Sequence, residues 1–170
     1  MRNRALTFLI LVACQVLICN YLHLSMYLSL SILPVLIICL PTKITTPVAM
    51  IIAFAAGFVV DYTAEGVLGL NSLALVPVAL LRRSVCDAIF GEELVARKED
   101  FSVAKFGWPK VAFAVSIAQA LFLLIYIWAD GGQARPFGFN LLRGFVSFAV
   151  GIIISVPIAD KLTKYHGQSA

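Results

Sequence analysis

Hydrophobic positions in this chain come in long unbroken runs, without the strict alternation of a half-buried strand. Between points of polar punctuation the runs occupy residues 5–21, 26–40, 44–60, 67–81, 109–128 and 139–158. A helix crossing the hydrocarbon of a bilayer needs about 20 apolar residues, with roughly 17 to 25 as the working range. The pattern therefore predicts an all-α integral membrane protein, a compact bundle of about six transmembrane helices in a single domain over residues 1–170. The breaks differ in chemistry. A turn near His23 and Ser25 separates the first two runs, while Pro41 ends the second and Lys43 anchors the third. A short polar link at 61–66 and a Gly-rich turn at 130–136 separate later runs. Pro109 stands where the first turn of a helix tolerates it, and Trp108 and Trp128 flank the fifth run as interfacial anchors. The fourth run has only 15 residues and contains Pro77. It is expected to cross as a kinked or tilted helix held among its neighbours.

Arg2 and Arg4 give the first run the basic start of a secretory signal, but no small-x-small cleavage site follows it. The reading is a retained helix. Residues 82–107 form the one sizeable polar segment, with five basic and five acidic residues. Mixed charge of this kind marks a solvated helical face or a docking surface for a cytoplasmic partner. Val85, Ile89 and Phe90, near helical spacing, suit a part that lies flat on the inner interface.

Composition narrows the class. Of 170 residues 61% are hydrophobic and 13% charged, with a mean hydropathy of +0.97, whereas a soluble domain carries about a quarter charged residues. A soluble globular domain is excluded, and so is disorder, since 12 Phe, 5 Tyr and 2 Trp lie among the aliphatic runs. The net charge of +4 bears on orientation in the lipid bilayer and not on nucleic acid. Six spans put both termini on one side, and eleven of the 13 basic residues then fall on that side, leaving only Arg135 and Arg143 on the other. By the positive-inside rule both termini and the 82–107 loop are expected to be cytoplasmic.

Candidate chemistry is sparse. Cys14, Cys19 and Cys39 lie within apolar runs as small hydrophobes, Cys86 lies in the charged loop, and no CxxC spacing occurs. His23 and His166 fall on opposite sides of the membrane in this topology, and HExxH, GxSxG, GxGxxG and P-loop motifs are absent. No catalytic residue, cofactor or metal ligand is predicted. The ionisable residues nearest to lipid are Asp61 and Arg143, each at the end of a stripe of small residues. Ala49, Ala53, Gly57 and Asp61 recur every four positions on the third run, and Arg143, Ser147, Gly151 and Ser155 do so on the sixth. Small faces permit close helix approach in lipid, to a helix of the same chain, of an identical copy or of another protein. For the two charges two readings stand. Either Asp61 and Arg143 pair at the outer end of antiparallel helices, or each snorkels separately into the headgroups.

Three stretches resemble a known family. Leu33-Pro34-Val35-Leu36, Gly57-Phe58-Val59-Val60-Asp61 and Gly66-Val67-Leu68-Gly69-Leu70-Asn71-Ser72-Leu73-Ala74, followed by Arg82-Arg83, are similar to the bacterial rod shape-determining protein MreD family. The resemblance spans residues 34–83, and its motif positions are Pro34, Gly57, Asp61, Gly66, Leu68 and Gly69. It implies a non-enzymatic scaffold of the cell-elongation complex in the bacterial inner membrane, one that helps direct lateral peptidoglycan synthesis and cell shape. The partners it implies are an MreC-like membrane protein and, with it, the actin-like MreB, the glycosyltransferase RodA and its partner transpeptidase. The family is also similar to the substrate-binding components of energy-coupling-factor vitamin transporters, so substrate capture is the alternative function.

Overall fold

The computed structural model describes residues 2–21, 29–65, 68–91, 106–131 and 136–167. Among these residues there are six α-helices and no strand: α1 (Arg2–Tyr21), α2 (Leu33–Ile38), α3 (Thr46–Val60), α4 (Leu70–Phe90), α5 (Trp108–Gly131) and α6 (Phe137–Gly167). One π-helical turn, Asp61–Glu65, continues α3. Proline sets two of the starts, with Pro34 and Pro47 in the first turns of α2 and α3, where a missing N–H removes no helical hydrogen bond. Pro77 and Pro157 lie inside α4 and α6, and both helices continue through them.

Three helices are long and apolar enough to cross a membrane, over Thr46–Thr63, Trp108–Asp130 and Phe137–Leu162, and α1 contains a shorter apolar stretch, Leu6–Asn20. Only 33%, 50% and 28% of the best apolar windows of these three helices are buried inside the molecule. At least half of each window is thus not buried inside the molecule, and large apolar side chains such as Ile51 and Phe54 on α3, Leu124 on α5, and Phe145 and Ile153 on α6 are exposed. A soluble monomer seldom exposes apolar patches beyond about 300–600 Å². Helices apolar on their uncovered faces suit a hydrocarbon surround.

The second run departs from expectation. Residues 26–40 were expected to span, yet residues 29–32 are not helical and α2 has six residues, about 9 Å of rise against a hydrocarbon core of about 30 Å. Every residue from 31 to 40 is buried. This run is apolar because it lies in the middle of the protein, and hydropathy alone does not separate that from facing lipid. α2 touches α1, α3, α4, α5 and α6, while α3 packs along α4, α4 along α5 and α5 along α6. α1 lies against α2, α3 and the π turn.

The fourth helix also differs. It runs past residue 81 to Phe90, so Arg82, Arg83 and Asp87 belong to a helix and not to the polar loop expected there. Its buried side, Leu70, Ala74, Leu75, Val78, Ala79, Arg82, Cys86 and Phe90, keeps three-and-four spacing to the end, which is why the helix persists. The rest of the expected cytoplasmic loop, 92–105, lies outside the described residues, as do Gly66 and His23.

Candidate functional site

Two polar constellations lie within this apolar bundle. The first joins α3 to α4. Gly69 takes a left-handed backbone (φ 94°) just ahead of α4 and has no side chain with which to cap it. Asp61, fully buried at the end of α3, supplies the cap from the preceding helix. Its Oδ1 accepts hydrogen bonds from Asn71 N and Asn71 Nδ2, both at 2.9 Å. Its Oδ2 accepts from Gly69 N at 3.1 Å and Ser72 N at 3.2 Å. The Ser72 hydroxyl lies 3.3 Å from the same oxygen and 3.2 Å from Phe54 O, and its single proton serves one of them at a time. One turn before Asp61, a Cβ on Gly57 would stand 2.6 Å from Ser72 N, 2.7 Å from Ser72 Cα and 2.9 Å from Asn71 C. The four-residue spacing thus has a physical content: glycine admits the backbone of α4, and the carboxylate one turn later takes its unpaired amides. A carboxylate at a helix N-terminus is also where the α4 dipole favours it.

The second constellation surrounds the non-helical segment 29–32 that precedes α2. Non-helical backbone at membrane depth requires partners within the protein, because hydrocarbon offers none. Gln15 of α1, 1% exposed, donates from Nε2 to Leu30 O at 3.0 Å and accepts from Ile32 N at 2.7 Å through Oε1. Gln119 of α5, fully buried, donates to Ser31 O at 3.3 Å. Ser147 Oγ of α6 accepts from Ser29 N at 2.9 Å. Gly151 makes room for Gln119, since a Cβ there would stand 2.6 Å from its Nε2. Arg143 donates to Ser29 Oγ at 2.9 Å, forms an ion pair with Asp130, and lies over the Tyr126 ring at 5.9 Å.

The expected stripes on α3 and α6 are therefore faces, and both pack inside the chain. Ala49, Ala53, Gly57 and Asp61 are buried, as are Arg143, Ser147, Gly151 and Ser155. Asp61 and Arg143 do not pair, and they do not snorkel. Arg143 stands near the start of α6, where a cation is disfavoured, and Asp130 stands in the last turn of α5, where an anion is disfavoured. Their pairing relieves both. The expected turn at 130–136 begins later than its composition suggests, since Asp130 lies in α5. Of the other family-like positions, Pro34 is buried at the start of α2 and Leu68 is exposed ahead of α4.

Gln15 and Gln119 are not singled out by the sequence, and Asn71 and Ser72 enter it only within the stretch that carries the resemblance. A signal existed, because each of the two glutamines is an amide deep in an apolar run, and an intramembrane polar group needs a buried partner. Arg82, expected as a basic helix end, turns inward instead. It donates to Ile38 O at 3.3 Å and to Leu40 O, closing the C-terminal end of α2, where a cation is favoured. Among the described residues no group of three His, Cys, Asp or Glu side chains comes together as a metal site. The chemistry that this arrangement supports is the satisfaction of backbone inside an apolar bundle. No protein-family model, curated protein or solved structure matches the chain.

Proposed function

We propose that this chain is a non-enzymatic inner-membrane scaffold of the bacterial cell-elongation complex, similar to MreD, that holds an MreC-like partner and helps direct lateral peptidoglycan synthesis. The observation that carries the proposal is the α3–α4 joint. Three of the residues on which the resemblance rests, Gly57, Asp61 and Gly69, meet in one physical device: close approach, shared cap and left-handed turn. The three residues, spread over thirteen positions at the end of α3 and the approach to α4, act together at this joint. The polar groups of both constellations bond mostly to each other and to backbone, which suits a rigid platform. The small-residue faces are occupied internally, so a partner would meet the outward apolar helix faces or the polar ends.

The non-helical segment 29–32 ahead of α2 supports a second reading, substrate capture, because transporters line ligand sites near the bilayer midplane with unwound backbone. One experiment separates the two. The chain is tagged, expressed in its native host, extracted in mild detergent, and its companions are identified by mass spectrometry. Recovery of an MreC-like protein with peptidoglycan synthases is the expected result. Recovery of an ATPase pair with a coupling membrane subunit, and no cell-wall protein, overturns it.

A further inference from the structure

Residues 29–32 and α2 form one path through the bundle, and its hydrogen bonds fix the depth of each point. At one end Ser29 donates from its backbone to Ser147 Oγ, and its hydroxyl accepts from Arg143, the cation paired with Asp130 in the last turn of α5. Ser31 O accepts from Gln119, the twelfth of the 24 residues of α5 and so at its middle. At the other end Ile38 O and Leu40 O accept from Arg82, about three turns along α4 from the Asn71 amide that Asp61 caps. Thr42, Lys43 and Thr45 then line a cavity together with Arg82 and Arg83. Because Gly57 meets Ser72, α3 runs from there antiparallel to α4, back to the end where Asp61 lies.

The chain between Ser29 and Leu40 thus passes from the end at which α5 meets α6 to the end at which α3 starts. Four non-helical residues reach at most about 13 Å and six helical ones rise about 9 Å, together most of a hydrocarbon core about 30 Å thick. A continuous helix of ten residues would rise only about 15 Å. Pro34 holds the path in this form. It has no N–H to donate, and in a helix its ring would clash with the carbonyl of Leu30, so α2 does not extend backward. That carbonyl accepts from Gln15 instead.

We propose that residues 29–40 cross the membrane inside the protein, non-helical to mid-depth and helical beyond it, screened from lipid by the five other helices. The crossing assigns Lys43 and the end of α4 to one face of the membrane, and the Asp61 joint and the start of α6 to the other. The proposal rests on the membrane reading and not on any partner in the elongation complex, so it stands or falls separately from that role. Lys43→Cys, Leu68→Cys, Ala88→Cys and Gly138→Cys are made singly in the full chain at exposed positions, together with His23→Cys, which stands ahead of the path in sequence. At Gly138 an added Cβ meets nothing within 4 Å. A membrane-impermeant maleimide is applied to right-side-out and to inside-out vesicles of the expressing cells, and the labelling of the unsubstituted chain is subtracted. Lys43→Cys and Ala88→Cys are expected to label in one kind of vesicle only, and His23→Cys, Leu68→Cys and Gly138→Cys in the other only. Labelling of His23→Cys from the same face as Lys43→Cys means that the path does not cross, and overturns the proposal. Hydrogen exchange of the purified chain in detergent gives a second readout: the amides of Ser29 and Ile32, bonded to the side chains of Ser147 and Gln15, are expected to stay protected. Exchange there as fast as in an open loop means that water reaches the path, and overturns it equally.

Discussion

Replacing Asp61 by asparagine removes the charge and one acceptor while keeping the shape. The carboxylate accepts from Asn71 N and Asn71 Nδ2 on one oxygen and from Gly69 N and Ser72 N on the other. An amide has a single oxygen. Whichever way it turns, its NH2 faces two N–H donors. If the oxygen stays with Asn71, the amides of Gly69 and Ser72 lose their acceptor. A buried donor left unpaired costs about 1–3 kcal/mol, and the lost charge at a helix N-terminus adds about 0.3–1 kcal/mol. Side-chain hydrogen bonds between membrane helices average only about 0.6 kcal/mol, because the separated helices find other partners. The first amides of α4 lack that recourse, having no carbonyl four residues back. The expected loss is about 2–4 kcal/mol. It is measured as the shift in unfolding free energy when the purified protein is titrated with sodium dodecyl sulfate in mixed micelles and followed by circular dichroism. A loss below about 0.5 kcal/mol would mean that the α4 amides do not depend on Asp61, and the account of the joint would be wrong.

Other outcomes follow from the same geometry. Gly57→Ala is expected to be far more harmful than Gly151→Ala, since the first added methyl meets the α4 backbone and the second meets the movable tip of Gln119; overpacking of the second kind costs about 1–3 kcal/mol, and thermal stability in detergent ranks the two. The double swap Asp61→Arg with Arg143→Asp is expected to rescue neither single change, while a double-mutant cycle on Asp130 and Arg143 should show a coupling of roughly 0.5–3 kcal/mol; a rescue in the first or no coupling in the second refutes the assigned partners. Gln15→Leu is expected to cost about 1–3 kcal/mol despite its greater apolarity, because Leu30 O and Ile32 N lose their partner, and a stability equal to wild type in micelle unfolding would contradict this.

How far the fold could be read from sequence depended on what each run of apolar residues reports. α3, α5 and α6 are apolar on faces that the protein leaves uncovered, and the length of their runs reported them directly. Residues 31–40 are equally apolar for the opposite reason, enclosure by five helices, and length and hydropathy misassigned them. The stretch after residue 81, expected as a separate polar segment with some helical spacing, instead continues α4, because Arg82, Arg83 and Asp87 lower hydropathy without disturbing the three-and-four spacing beneath them. Asp61 and Arg143 stood out because a charge near lipid demands an explanation. Their partners did not. Asp61 is answered by backbone amides, which carry no signature in a sequence, and Arg143 by an acid that resembled a loop residue.

The central claim, a scaffold role in cell elongation, is tested most directly by depleting the chain in its native host and measuring cell width and the distribution of new peptidoglycan by fluorescence microscopy. The account predicts that cells widen and round as wall synthesis loses its lateral pattern, and that a copy carrying Asp61→Asn restores shape less well than the wild-type gene. Cells that keep their width and instead require a higher external supply of a vitamin would contradict it.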